Sequence, residues 1–415
     1  MAILILCYAL QVFSPIRLNP DAITLLSMAK SAAAGHGFLE NGRPTVFPPG
    51  YPALLAILLR TGLGHSWAII GLNGIMMAAG MFAAYQAFVE DLFDDKVLAL
   101  NLCSLSMLSF VVIKHFTIAI TDIAFLFVAM CAVAAMSHAA LVTWGRRFAL
   151  TVAASWILVI AAIAVRRIGV ALIPPFVLMV ISRPETKRLI RDQSTLRKAL
   201  AAAFVGAGLI GIIWAIARTS TLSDLTTPIA NLPFLHTLLK ILYFRLTELG
   251  GLMINVPISH LPTIVHGLVP VVGLALLLLT LGGVASVVSR RKKIGPAELY
   301  LVSYLVVLFA WPYNDARFWI PVVPLLAAYS AAALGRAIKF RPARLAIAGY
   351  ISIFVILGIA SIAYSTRITF AGSKFPDLYS NGLRPTYCEA FKLCSNSYNK
   401  SEVDPEALDL IQIYR

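Results

Sequence analysis

Long apolar runs separated by short polar loops dominate the chain. An α-helix rises about 1.5 Å per residue, so about 20 apolar residues cross a hydrocarbon core of about 30 Å. By this rule the pattern predicts about eleven membrane spans. The apolar runs lie at 2–14, 66–89, 97–113, 118–142, 148–165, 168–182, 199–217, 264–289, 297–312, 317–335 and 344–364. The division of 148–182 stays open, because Arg166 and Arg167 interrupt an otherwise continuous run.

The composition indicates an all-α polytopic membrane protein. Hydrophobic residues make up 60% of the chain and charged residues 13%, whereas soluble domains are about half apolar and a quarter charged. The net charge of +15 does not indicate nucleic-acid binding, since most basic residues stand in short loops between apolar runs. Basic residues in such loops orient a membrane protein.

The basic loops set the predicted orientation, because lysine and arginine collect in the cytoplasmic loops of membrane proteins. Here the basic clusters share one side of the predicted bundle, at 146–147, 187–198, 290–293 and 336–344. The acidic loop 86–96 lies on the same side, since acids count little in this rule. Residues able to do chemistry therefore gather on the non-cytoplasmic face.

Two outer loops and a tail are expected to accompany the transmembrane domain at 1–365. The first outer loop covers 15–65 and is expected to form helices lying on the membrane. The second covers 218–263, in which 234–253 has helical periodicity with interspersed charges, typical of an interfacial amphipathic helix.

The tail at 366–415 is expected to be a small soluble periplasmic appendage. Its cysteines, Cys388 and Cys394, are expected to pair if the compartment is oxidising. Cys7, Cys103 and Cys131 fall inside apolar runs, where cysteine behaves as a small hydrophobe.

Two acids on the outer face are candidate catalytic residues. Asp21 follows Asn19-Pro20 at a good helix start, which predicts a cap, and it is also placed to act as a general base toward an acceptor hydroxyl. These two roles are compatible. Asp122 lies a few residues into a span, where an acid is costly and suggests function. The alternative for Asp122 is an interfacial acid satisfied by water, Lys114 or His115.

Arginines on the outer face run against the charge bias of membrane proteins. Arg166 and Arg167 lie at an outer boundary, and Arg317 begins a span. Binding a phosphate explains such arginines, and snorkelling to lipid headgroups is the alternative.

The remaining polar candidates for donor-phosphate or substrate binding are Lys114, His115, His36, Tyr51 and Arg245. The histidine spacing matches no zinc motif, so structural or hydrogen-bonding roles are the alternative for the histidines. No Walker-type loop and no GxSxG motif is present, which disfavours ATP-driven chemistry.

Asp21 is followed by the stretches MAKSAAAGHGF and FPPGYPALLAILLRTGLG. This pattern resembles the first outer loop of the GT-C superfamily of membrane glycosyltransferases. The likeness is greatest to the branch of protein O-mannosyltransferases and aminoarabinose lipid A transferases. ITDIAFLFVAM around Asp122 and NDARFWIPVVPLLAAYSAAAL around Arg317 agree with it.

The resemblance implies an inverting enzyme that takes a sugar from a polyprenyl-phosphate carrier on the outer face. The family's acids would fall on Asp21 and Asp122, and Arg166, Arg167 or Arg317 would hold the lipid phosphate. Many members have a second acid directly after the first, whereas here Ala22 follows Asp21. The resemblance therefore leaves divalent-metal dependence open. Only the short tail stands where some members carry a large soluble domain.

The acceptor stays open among an exported protein such as pilin, lipid A, a lipoglycan and O-antigen, and a bacterial inner membrane is the expected location. One alternative is a flippase or transporter of a lipid-linked sugar, for which inverted repeats and midplane charges are typical. Another is a glycan polymerase or ligase that uses a lipid-linked oligosaccharide.

Overall fold

The structure is a computed structural model of the chain. It describes residues 2–183, 185, 234–311, 313–335, 337–371, 382–392 and 398–414. The predicted apolar run at 199–217 and residues 218–233 of the second outer loop lie outside the described residues.

Helices form nearly all of the regular structure in the described part of the chain. The first nine are α1 Ala2–Leu10, α2 Pro20–Ala33, α3 Gly50–Arg60, α4 Ser66–Asp91, α5 Lys96–Met107, α6 Phe110–Phe116, α7 Thr121–Leu141, α8 Arg146–Val165 and α9 Ile173–Ile181. The next seven are α10 Phe234–Ile254, α11 Val269–Arg291, α12 Pro296–Ala310, α13 Val323–Leu334, α14 Arg341–Ala371, α15 Arg384–Phe391 and α16 Pro405–Ile413. Two short strands, β1 Leu39–Glu40 and β2 Arg43–Pro44, pair as an antiparallel hairpin.

Six helical segments of the described residues are long and apolar enough to cross a membrane. They are Ser66–Asp91, Thr121–Leu141, Arg146–Val165, Val269–Arg291, Ala316–Leu334 and Arg341–Thr369. Helices α5 and α6 add a seventh span if they are one crossing bent by 59°. The prediction of about eleven spans is therefore not confirmed, because the runs at 2–14, 168–182 and 297–312 form helices shorter than a full crossing.

Helices α4 and α7 form the centre of the bundle, and they pack closely along their length. The apolar window of α7 is 67% buried, whereas that of Arg341–Thr369 is only 11% buried. The close approach of α4 and α7 depends on Gly80, where an added Cβ would lie 2.9 Å from the Cα of Phe127. Small residues of this kind let membrane helices pack backbone to backbone.

The second outer loop contains the predicted helix, α10, but this helix exposes apolar side chains over only part of its length. Leu238, Leu239 and Tyr243 near its start are exposed, whereas Arg245 and Glu248 near its end are buried. The second half of α10 therefore belongs to the protein core.

Short segments of 3-10 helix extend or connect several helices. They are Gln11–Phe13, Arg167–Leu172, Ile258–His260, Thr263–Val265, Ala316–Val322, Ala337–Lys339 and Lys400–Glu402. Proline explains one of these breaks, since Pro321 stands inside Ala316–Val322 and lacks the amide donor of a continuing helix. Two of the segments, Arg167–Leu172 and Ala316–Val322, line the cavity described below.

Helix α14 continues to Ala371, into the stretch predicted as the tail. Helices α15 and α16 pack on each other, and α16 also packs on α2 of the first outer loop. Cys388 is disulfide-bonded, while Cys394 lies outside the described residues, so its pairing with Cys388 stays a prediction.

Candidate functional site

A cavity of about 440 Å³ opens at the end of the bundle that carries the first loop, 15–65. Four parts of the chain line it: the first outer loop, the start of α7, the junction after α8, and the stretch that leads into the span at Ala316. The lining residues are Asp21, Leu25, Val46, Phe47, Pro48, Ile120, Thr121, Val165, Arg166, Arg167, Ile168, Trp311, Tyr313, Asn314, Asp315, Arg317 and Phe318.

Helix ends place the two predicted acids near this cavity. Asp21 lies in the first turn of α2 and Asp122 in the first turn of α7. The amide dipoles at a helix N-terminus stabilise a carboxylate there. The cap of α2 is Asn19, whose side chain accepts a hydrogen bond of 2.8 Å from the amide of Ala22. The carboxylate of Asp21 is thus available for contacts across the cavity.

Each of these acids forms an ion pair with an arginine predicted to bind phosphate. Arg317 donates to the Asp21 carboxylate, and Arg166 donates to the Asp122 carboxylate. The Asp21 side chain is 30% exposed and that of Asp122 is 1% exposed. Asp21 is therefore accessible to a molecule in the cavity, whereas Asp122 lies behind Arg166.

A third acid, Asp315, holds Arg317 from the other side. Its Oδ2 lies 3.0 Å from Arg317 Nε, and its Oδ1 accepts a hydrogen bond of 3.0 Å from the Arg317 amide. Asp315 therefore fixes both the backbone and the guanidinium of Arg317. The sequence contained the signal for this residue, since it stands two positions before Arg317 in the NDARF stretch.

Phe318 lies against several guanidinium groups at once. The guanidinium carbons of Arg166, Arg245 and Arg317 lie 4.9, 5.5 and 5.5 Å from the centre of its ring. An aromatic face at this distance attracts a cation. Phe318 therefore keeps Arg166 and Arg317 together, a role that a single phenylalanine within an apolar run does not reveal in sequence.

Arg167 connects the cavity to the first outer loop, because its guanidinium donates to the carbonyl of Val46. The backbone at Val46 to Pro48 is thereby held over the junction after α8. Gly50, at the start of α3, packs so closely on this junction that an added Cβ would lie 2.6 Å from the carbonyl oxygen of Ala164.

Arg245 does not line the cavity but supports its wall. Its side chain is 1% exposed, and its Nη1 donates to Glu248 Oε2 at 2.7 Å. The other guanidinium atoms donate to the carbonyls of Leu308, Trp311 and Tyr313. Arg245 is thus committed to holding the stretch before Asp315 in place.

The other four predicted residues also lie outside the cavity lining. His36 and Lys114 are exposed, and His115 is buried with Nδ1 2.7 Å from the carbonyl oxygen of Val111. Tyr51 is buried and donates to Asn73 at 3.2 Å. Burial raises the pKa of the Tyr51 phenol well above its usual range, so the hydroxyl stays protonated and serves as a donor.

No group of three or more histidine, cysteine, aspartate or glutamate side chains that could hold a metal ion occurs within the described ranges. A role of divalent metal in this cavity stays open, as it did from the sequence.

Comparison with known proteins gives matches at the level of structure. No protein-family model and no curated protein sequence matches the chain. The crystal structure of ArnT from Cupriavidus metallidurans bound to undecaprenyl phosphate matches with a TM-score of 0.54 and 12% identity. That match covers 99% of this chain and 83% of ArnT.

A second match is the crystal structure of the oligosaccharyltransferase of Archaeoglobus fulgidus, solved with zinc and sulfate. Its TM-score is 0.50 with 13% identity, over 99% of this chain and 61% of that one. ArnT is an aminoarabinose lipid A transferase, and both proteins are members of the GT-C superfamily. The fold is therefore that of the GT-C membrane glycosyltransferases, as the resemblance implied, and the chain is a multi-pass membrane protein.

Proposed function

We propose that the chain is an inverting glycosyltransferase that moves a sugar from a polyprenyl-phosphate donor to an acceptor hydroxyl on the outer face of the membrane. The observation that carries this proposal is the outer cavity, in which a partly exposed carboxylate, clustered arginines and an apolar wall adjoin. The shared fold supports the same kind of reaction, since ArnT was crystallised with undecaprenyl phosphate.

The charge of the cavity suits a lipid phosphate. Three arginines (166, 167 and 317) and two aspartates (21 and 315) are among its lining residues, and Asp122 pairs with Arg166 from behind, so a phosphate binds by displacing a carboxylate from its arginine. A sugar-phosphate-polyprenyl diester carries one negative charge, and guanidinium groups bind phosphate oxygens in pairs. Arg317 and Arg166 stand together on Phe318, so one phosphate can contact both.

The transfer step follows from the position of Asp21. The Asp21 carboxylate takes the proton of the acceptor hydroxyl as the acceptor oxygen forms a bond to the anomeric carbon of the sugar. The bond between that carbon and the phosphate oxygen breaks, and its electron pair leaves with polyprenyl phosphate. Attack from the face opposite the leaving group inverts the anomeric centre. Arg166 and Arg317 stabilise the charge that develops on the phosphate.

The Arg317–Asp21 ion pair also indicates how donor binding frees the Asp21 carboxylate to act as the base. In the ion pair, the Arg317 guanidinium occupies a carboxylate oxygen of Asp21. A donor phosphate competes with Asp21 for the Arg317 guanidinium. When the phosphate takes that partner, the Asp21 oxygen is free to accept the hydrogen bond of the acceptor hydroxyl. The donor is therefore expected to bind before the acceptor.

The apolar part of the lining is the proposed path of the polyprenyl chain. Leu25, Ile120, Val165 and Ile168 supply apolar surface next to the arginines. The acceptor is proposed to be an exported protein such as pilin, or a lipoglycan or lipid A. The compartment is proposed to be the periplasmic side of a bacterial inner membrane.

The testing experiment measures sugar transfer in native membranes for wild type and Asp21→Asn. The readout is polyprenyl phosphate released from synthetic polyprenyl-phosphate sugars, at matched protein level and detergent monodispersity. We expect no acceptor-dependent release from the variant. The control is Asp95→Asn at the start of α5, where the carboxylate caps a helix and asparagine caps equally well.

Release near the wild-type rate from Asp21→Asn would overturn the assignment of the base. It would favour a flippase of lipid-linked sugar or a glycan polymerase or ligase. Movement of labelled donor across the bilayer without release of polyprenyl phosphate would identify the flippase.

A further inference from the structure

The C-terminal segment, which contains helices α15 and α16, contacts the chain just before Asp21. Tyr387 of α15 is 1% exposed, and its hydroxyl lies between two backbone groups of the first outer loop. It accepts a hydrogen bond of 3.0 Å from the Leu18 amide and donates one of 2.8 Å to the Ile16 carbonyl. The Tyr387 hydroxyl therefore pairs one amide and one carbonyl of the backbone stretch 16–18, which leads directly into α2.

This backbone stretch is linked to both acids of the cavity. It runs into Asn19, the cap of α2, and so sets where the first turn with Asp21 begins. On its other side Arg17 forms a parallel bridge with Ile118. Ile118 is held by Asn73, which donates to its carbonyl at 3.0 Å. Four residues later the chain reaches Asp122.

Three further contacts attach the C-terminal segment to the first outer loop and to the start of α4. Lys30 of α2 pairs with Asp409 at 2.5 Å. Asn41 of the hairpin turn donates to Glu406 at 2.6 Å. The amide of Ser66, at the start of α4, donates to the carbonyl of Tyr414 at 2.8 Å. The segment thus contacts the loop before α2, along α2 and after α3.

We propose that the C-terminal segment is an active-site clamp and that Tyr387 is its positioning residue. By fixing the backbone at 16–18 it holds the start of α2, and with it the Asp21 carboxylate, against Arg317. The inference rests on the proposed function only where it concerns catalysis. The mechanical part, that Tyr387 restrains the start of α2, stands on the hydrogen bonds alone.

The mechanical part is tested by hydrogen exchange on full-length protein in detergent. Tyr387→Phe keeps the ring and removes both hydrogen bonds. We expect the amides from residue 16 to residue 22 to exchange at least about tenfold faster, while the centre of α7 is unchanged. The matched control, Tyr398→Phe, removes a hydroxyl that bonds within the segment to Glu389 and should leave these amides unchanged. Unchanged exchange in Tyr387→Phe would overturn the clamp.

A second pair of variants tests the clamp without touching Tyr387. Lys30→Asp and Asp409→Lys each place like charges opposite one another, and we expect each to speed exchange at the start of α2. The double variant restores an opposite-charge pair and should return exchange to the wild-type rate. If neither single variant changes exchange, the contacts between tail and loop do not restrain α2.

The catalytic part is tested by the kinetics of sugar transfer, measured per folded enzyme. If the start of α2 loses its hydrogen bonds to Tyr387, the Asp21 carboxylate is misplaced relative to the acceptor hydroxyl. We therefore expect kcat of Tyr387→Phe to fall about tenfold, with KM for the donor changed less than about twofold.

A purely structural role of Tyr387 gives a different result. Loss of folded enzyme lowers the amount of active protein but leaves kcat per folded molecule unchanged, and that result would overturn the catalytic part. Failure of the proposed function is separate: active Asp21→Asn refutes the base, whereas the exchange measurement still decides the clamp.

Discussion

Replacing Arg317 by alanine tests how the cavity recognises the donor. Arg317 is the residue that touches Asp21, Asp315 and Phe318 together. Its side chain is 14% exposed, so the guanidinium is largely withdrawn from water. A charged hydrogen bond in such a place contributes about 1.5–3 kcal/mol.

The expected loss of donor-binding free energy in Arg317→Ala is near the middle of this range. A donor phosphate must displace the Asp21 carboxylate from Arg317, and that exchange offsets part of what the phosphate gains. We therefore expect Arg317→Ala to weaken donor binding by about 2 kcal/mol, which is about 30-fold. Arg317→Lys keeps the charge but loses the planar fork, so we expect a smaller loss of about tenfold.

The assay is binding of polyprenyl phosphate to purified protein, followed by kcat/KM for sugar transfer. Arg43→Ala is the matched control, since Arg43 is an exposed arginine of the same face and does not line the cavity. A dissociation constant for Arg317→Ala within about twofold of wild type would refute the assignment of Arg317 to the phosphate. Equal losses in Arg43→Ala would show that only the general positive charge of this face matters.

Three further changes have distinct expected outcomes. Asp122→Asn leaves the Arg166 guanidinium without its buried partner, so we expect thermal unfolding to show a free energy of unfolding lower by about 2–4 kcal/mol. Sugar transfer should be impaired less than in Asp21→Asn. Unchanged stability would contradict the buried ion pair. Phe318→Leu removes the aromatic face beneath the arginines and should weaken polyprenyl-phosphate binding by about 0.5–2 kcal/mol at unchanged protein level; unchanged affinity would show that the ring is only packing. Gly80→Val forces α4 away from Phe127 and should destabilise the protein by about 1–3 kcal/mol, as measured by thermal scans. The folded fraction should keep its specific activity, as measured by assays normalised to folded protein.

Much of the fold could be predicted from the pattern of apolar residues. The runs at 66–89, 118–142, 148–165, 264–289, 317–335 and 344–364 correspond to helices of spanning length. The total of about eleven spans could not be obtained this way, because residue counting treats every apolar run as a crossing. The short helices at 167–181 and 296–310 pack within the bundle, where a helix need not span to be buried.

The amino-acid sequence alone predicts the helical membrane architecture, its orientation, and a set of acids and arginines, four of which line the cavity. These follow from local rules, because hydrophobic length, the bias of basic loops and the cost of a charge in a span act on each segment separately. The partners follow from the fold: Arg317 pairs with Asp21 and Arg166 with Asp122, Arg245 supports the wall from behind, and the tail hydrogen-bonds to the first loop. Asp21 and Arg317 are 296 positions apart, and no local pattern encodes a contact over that separation, because it arises from how the helices pack around α4 and α7.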